Sequence, residues 1–201
     1  MLKHIKPKRE NFDTISDTIL NHTLLHSGEK CYRICEIEFY LYSNKHLDEY
    51  THKSEEQQQS CKFYFHKYKT GTYKTGTYKC FDITLGKSNI YFGILVRSIY
   101  NVKTKEFIEG PCRSLTDILK QFDCSEVRDF VKDKKLPLDI YDTMYNFYIE
   151  NHEYKKMEKI YIAPRIGLSN KFPEYQNLNY RYAIKIDKIK KQKKTFTECD
   201  M

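Results

Sequence analysis

The 201-residue chain is long enough for one domain of mixed structure with a real core and leaves little room for a second. Its 35 Lys and Arg against 27 Asp and Glu give a net charge of +8, with the surplus at the two ends and in the middle, a distribution that suits a polyanionic partner. Seven irregularly spaced cysteines with no CxxC pair speak against a disulfide framework and structural zinc, the basic residues 1–9 lack the apolar stretch of a secretory signal, and no run reaches membrane-spanning length. The expected compartment is therefore intracellular, nuclear or cytoplasmic, and reducing. The 18 Tyr and 12 Phe, with no Trp, offer flat stacking faces and hydroxyls, although an AT-rich genome produces the same bias.

In chain order, Phe12, Ile15, Ile19, Leu24 and Leu25 predict a short N-terminal helix within residues 12–26. Residues 32–42 read as a strand, with Cys35, Ile37, Phe39 and Leu41 on one face and Ile34, Glu36, Glu38 and Tyr40 on the other. Residues 43–60 are polar and predict a surface loop with at most one helical turn. Strands follow at 61–66 and 78–85, joined by a glycine-containing connection in which Lys69-Thr70-Gly71-Thr72-Tyr73 is repeated at once as Lys74-Thr75-Gly76-Thr77-Tyr78. A slipped duplication that lengthens a hairpin is the economical account.

Residues 90–99 are almost wholly apolar and predict a strand buried on both faces, in which Arg97 needs a partner. Ser114 stands at a cap position ahead of the stripe Leu115, Ile118, Leu119 and Phe122, and a second helix is expected over 125–134. Strands at 159–163 and 180–186 complete a domain spanning 1–186. Residues 187–201 form a basic tail, overlapping a 185–194 stretch of six lysines that serves as a phosphate contact or merely as a solvated end.

Glu36 and Glu38 share one strand face. A carboxylate held against aromatic side chains in a concave site acts as a general base near neutral pH, whereas on an exposed strand the same alternation carries no chemistry.

The segment 33–41, Arg-Ile-Cys-Glu-Ile-Glu-Phe-Tyr-Leu, resembles the R-I-V-E-T-E-A-Y-L signature of the alkyladenine (3-methyladenine) DNA glycosylase family. Five further short matches occur in the same order. Residues 80–84 resemble the segment bearing the family's base-guarding Asn, and 93–99 its G-A-V-L-I-R-A-L strand. Residues 109–115 resemble its G-P-x-x-L element with one extra residue, 163–168 its P-R-I-G-I turn, and 180–182 its W-R-F-Y strand. Together they span residues 33–182.

The resemblance implies one α+β domain with a curved, mainly antiparallel sheet flanked by helices and a protruding β-hairpin. It implies that Glu38 is the water-activating catalytic base, that Tyr40 stacks on a flipped base, and that His52 falls on the pocket histidine. Arg97 matches the arginine of its strand and, with Asp82, counts among the base-pocket candidates. Tyr64 and Phe65, with Phe63, are candidate pocket walls, and Tyr73 or Tyr78 on the hairpin is the candidate intercalating wedge, with Lys69, Lys74 and Lys79 for flanking phosphates.

The implied reaction is monofunctional base excision from damaged DNA, duplex or single-stranded, by a monomer without metal or cofactor. Asp82 stands where the family carries Asn, and a carboxylate only accepts hydrogen bonds unless protonated. It either admits an exocyclic amino group, favouring guanine lesions, or pairs with Arg97 or a nearby lysine. Phe39 in place of Ala and the 63–66 stretch, including His66, are further departures expected to reshape the pocket. The competing readings are a non-catalytic nucleic-acid-binding module on the same scaffold and a hydrolase of free nucleosides or modified RNA.

Overall fold

The strand predicted at 32–42 is the axis of the molecule. In the computed structural model, which describes residues 2–199 and so leaves Met1 and the last two residues of the basic tail outside, it runs from Lys30 to Ser43. In chain order the elements are α1 (Phe12–Asn21), β1 (Thr23–Ser27), β2 (Lys30–Ser43), β3 (His46–Leu47), β4 (Ser60–Phe65), β5 (Phe81–Leu85), β6 (Tyr91–Asn101), β7 (Phe107–Glu109), α2 (Pro111–Lys120), α3 (Val127–Val131), β8 (Phe147–Asn151), β9 (Tyr161–Ala163), α4 (Pro173–Gln176), β10 (Arg181–Ala183) and β11 (Thr197–Glu198).

Among the described residues the strands form one open antiparallel sheet of α+β type, with the order β11-β9-β10-β2-β6-β5-β4. β2 pairs with β6 along one edge, and along the other with β1, β10 and β3 in turn. Such a long strand is stable because both its edges are paired, leaving few of its backbone groups without a partner.

Strand register separates two chemistries. Phe39, Ile94, Ile83 and Phe63 lie directly across from one another on β2, β6, β5 and β4, and belong to the apolar core. α1 covers this face, with the Phe12 ring 4.1 Å from Phe39 and nearly parallel to it. The next row is Glu38, Leu95, Asp82 and Tyr64, which side-chain alternation turns to the opposite face. That second face buries charge.

Several sequence expectations are corrected here. Leu24 and Leu25 lie on β1 rather than on the N-terminal helix, which ends at Asn21. The 43–60 segment is largely the expected surface loop, its one helical turn being a 3-10 turn at Glu55–Gln58, but it also contributes the two-residue β3 and buries Asp48, Thr51 and Gln57. α2 starts at Pro111 rather than at Ser114, because Gly110 takes a φ of 105° that side chains resist and Pro111 supplies a preset first turn. Ser114 instead donates to the carbonyls of Arg97 and Ile108. Phe122 lies beyond this helix, and the second helix shrinks to α3.

Residues 187–199 pack on the domain. β11 pairs with β9, and the N–H groups of Lys190 and Lys191 donate to Glu109. No helix among the described residues is long and apolar enough to cross a membrane.

Candidate functional site

Three strands and one turn hold Glu38. It lies in mid-β2, where its neighbour β6 brings Arg97 to the same face, and a bulge around Cys35 and Arg97 lets the arginine serve both glutamates. Arg97 Nη1 stands 3.2 Å from Glu38 Oε2, and Arg97 Nε donates to Glu36 Oε1 at 3.1 Å. Arg181 on β10 adds a second cation, donating from Nε to the same Glu36 oxygen at 2.6 Å, and Ser98 donates to Glu36 Oε2. Two buried carboxylates thus meet two buried guanidiniums, which limits the cost of removing them from water.

Glu38 has two further donors. The Tyr40 hydroxyl reaches Oε2 at 2.9 Å, and the backbone N–H of Ile166 reaches Oε1 at 2.8 Å. The turn that delivers this N–H is fixed by Arg165, which makes a bidentate pair with Asp48 at 2.6 and 3.1 Å and donates to the carbonyls of Phe39 and Tyr175. Arg165 also lies over one face of the Tyr40 ring, 4.6 Å from its centroid. Glu38 itself has no exposed surface. Burial first, and then the charge of Glu38, hold the Tyr40 phenol well above its ordinary pKa, so it stays a donor.

Across the sheet lies a second polar group. Asp82 accepts from His66 Nε2 at 2.6 Å and from Gln57 Nε2 at 3.1 Å, so its partner is neither Arg97 nor a lysine. Gly93 makes room for this arrangement: a Cβ there would come within 2.3 Å of Asp82 Oδ2 and 2.5 Å of Gln57 Nε2. His52 stands edge-on to His66, with ring centroids 4.2 Å apart, its Nδ1 3.3 Å from the Tyr64 hydroxyl and its Nε2 3.4 Å from Lys74 Nζ.

The two histidines are driven in opposite directions. Burial lowers the pKa of His66, but the Asp82 charge, with Cys80 and the hydrogen bond to Asp82, outweighs it and pushes the imidazole up to about 10. Desolvation of the ring edge packed against Tyr64 and His66, and then the His66 charge, lower the pKa of His52, whose residue is otherwise exposed. A raised pKa stabilises the fold fully below the ordinary 6.5 and loses that contribution as pH climbs to about 10. Urea unfolding across pH should therefore show the advantage of wild type over His66→Gln shrinking between pH 6.5 and 10. An advantage constant over that range would mean that the Asp82 pair holds no proton.

Of the sequence candidates, Glu38, Tyr40 and Arg97 come together, and His52, Tyr64 and Asp82 form the neighbouring group with His66. Phe65 is corrected: it lies on the opposite face with Phe81, Phe130 and Phe147, as Phe63 does, and offers no ring to the polar group. Phe39 likewise points to the core and does not reshape the polar face.

The hairpin between β4 and β5 carries the duplicated pentapeptides, the first around a bridge from Lys67 to Tyr73 and the second in a 3-10 turn at Gly76–Tyr78. Tyr78 is 71% exposed, whereas Tyr73 is half-buried near Lys67. Lys69 is exposed and Lys74 turns toward His52. Lys79 is corrected: it is buried, donating to the Ser125 carbonyl at 2.6 Å beside Glu126, and is not free for a phosphate. A cavity of about 690 Å³ runs along β4 between Lys53, Glu56, Tyr64, Lys67 and Tyr73, within the usual size range of ligand pockets, but Glu38 does not line it.

Sequence reasoning passed over Asp48, Gln57 and Arg181 as functional side chains. Arg165 and Arg181 lay within quoted motifs, while Asp48 and Gln57 had no local signal. No protein-family model matches the chain. It is 40% identical over 202 residues to "Uncharacterized protein L759" of Acanthamoeba polyphaga mimivirus, with 94% of this chain and 93% of that protein covered.

Proposed function

We propose, from the premise that this chain belongs to the family of the mimivirus protein L759 and from the site just described, that it is a monofunctional DNA N-glycosylase acting on damaged purines. The observation that carries this reading is Glu38: an enclosed carboxylate gripped by one guanidinium, one phenol and one backbone N–H. A carboxylate has about four acceptor positions, so one remains for a water. Glu36, held by two guanidiniums and a serine, is its structural counterpart.

The nucleotide is extruded from the stack, at a cost of roughly a few kcal/mol that is least for damaged pairs. Stacking on an aromatic face returns roughly 1–3 kcal/mol per base, and Tyr40, beside Glu38 and under Arg165, is the ring assigned to the purine. Because Glu38 has no exposed surface, entry of the base requires the groups packed over it to move aside. Glu38 accepts a proton from water as the water oxygen attacks the anomeric carbon, and the electrons of the N-glycosidic bond leave with the purine. The product is an abasic site in an uncut strand. No lysine nucleophile takes part.

The test is incubation of the purified chain with oligonucleotides carrying hypoxanthine, ethenoadenine or methylated purines, followed by hot alkali. Strand scission at the lesion is expected, and intact strands with every lesion would remove the proposal. Tyr78, the exposed hairpin tyrosine, fills the vacated gap, so Tyr78→Ala should lower base release about tenfold with an unchanged unfolding midpoint. Equal rates would free Tyr78 of that role.

The full enclosure of Glu38 favours one other reading, a non-catalytic nucleic-acid-binding module in which the charge cluster only holds the sheet together. Salt-dependent binding without base release selects it.

A further inference from the structure

Outside the polar face of the central strands, a second group of reactive side chains is set by register alone. The tight β1–β2 hairpin turns at Gly28, whose φ of 55° suits glycine, and places His26 directly across from Cys31. β8 flanks β1 on its other edge and places Tyr148 directly across from His26, with Glu150 two residues further on the same face.

The contacts that result are directional. The Cys31 sulfur lies 3.3 Å from His26 Nδ1, and His26 Nε2 lies 2.6 Å from Glu150 Oε2. Tyr148 stacks flat on the imidazole, centroids 4.5 Å apart and planes within 2°, so the ring is held in this orientation. Cys31 and Glu150 occupy opposite nitrogens of the ring and so cannot converge on one metal ion. The sulfur belongs to a partly exposed residue, unlike those of Cys35 and Cys61, which are buried.

We propose that Cys31, His26 and Glu150 form a thiol–imidazole–carboxylate relay that makes Cys31 the preferred site on this chain for thiol–disulfide exchange with low-molecular-weight disulfides. Burial, with Glu150 adding to it, raises the Cys31 pKa, so the resting sulfur keeps its proton and needs an acceptor beside it. His26 Nδ1 is that acceptor. As the proton passes to it, the Cys31 sulfur attacks one sulfur of glutathione disulfide, and the S–S bond breaks toward the other. The departing glutathione thiolate takes the proton back from His26. Cys31 is oxidised to a mixed disulfide and one glutathione is reduced, so electrons balance without a further oxidant. Glu150 keeps the Nε2 proton in place and stabilises the imidazolium that forms in between.

The experiment exposes the full chain to glutathione disulfide, quenches at intervals, and measures each cysteine by peptide mass spectrometry. Cys31 should react first, ahead of the partly exposed Cys80, Cys112, Cys124 and Cys199. His26→Gln should slow Cys31 by about tenfold or more, while leaving Cys112 and Cys124 unchanged. Glu150→Gln should give a smaller slowing at the same cysteine. Should His26→Gln loosen the fold, Cys35 and Cys61 will begin to react, and Glu150→Gln, changed at a half-exposed side chain, then decides. Cys31 reacting no faster than Cys112, or unaffected by the deciding variant, overturns the proposal.

Discussion

Glu38→Gln should bind lesion-bearing oligonucleotides as wild type does and release base about 10²–10⁴-fold more slowly, the usual worth of a positioned general base. The amide has nearly the shape of the carboxylate but a single acceptor oxygen. Either Ile166 N–H or the pair Tyr40 hydroxyl and Arg97 keeps its acceptor, and the other side faces an NH₂ group. A buried donor left unmatched costs about 1–3 kcal/mol, so the variant unfolds earlier in urea but stays folded in water. Single-turnover base release and a binding titration on the same preparation separate the effects. Binding kept with release lost identifies a catalytic carboxylate. Undiminished release would mean that Glu38 belongs to the structural cluster alone.

Why Glu38 was legible and much of its setting was not follows from the range of the forces involved. β2 announces itself because alternation over a dozen residues is a local signal, and the same alternation puts Glu36 and Glu38 on one face. Arg97 in an otherwise apolar strand demanded a partner, and the glutamates supply it. The Asp48–Arg165 pair joins residues 117 apart in sequence, and nothing near either one signals the other. Asp82 had Arg97 or a nearby lysine in reach of reasoning, yet register sets it beside His66, because Tyr64 pairs with Asp82 and His66 follows two residues from Tyr64 on the same face. β9 and β10, at three residues each, are too short for any period to mark their ends, and they exist because β2 offers them an edge. Leu24 and Leu25 continue an apolar run past the helix, and their assignment turns on β8, more than a hundred residues downstream, pairing with β1.

Arg97→Leu should be the most destabilising single change in the cluster, costing about 3–5 kcal/mol, or on the order of a 10 °C fall in Tm for a domain of this size. Removing this guanidinium leaves Glu36 with Arg181, but leaves Glu38 without any cation in a place with no exposed surface. Leucine keeps the volume of the apolar stem but not that of the guanidinium, so the loss combines the stranded charge with a small cavity. Arg97→Lys should recover only part of it, since one ammonium does not reproduce the fork that spans both glutamates. The double variant Arg97→Leu with Glu38→Leu removes the stranded charge together with its cause, and should therefore be more stable than Arg97→Leu alone. A cost under about 1 kcal/mol for Arg97→Leu would place water around these carboxylates, since that is the scale of a solvated surface pair. Glu38 would then be too well hydrated to serve as a base in a dry slot. One unfolding measurement on the partner of Glu38 thus bears on the catalytic reading as directly as an activity assay.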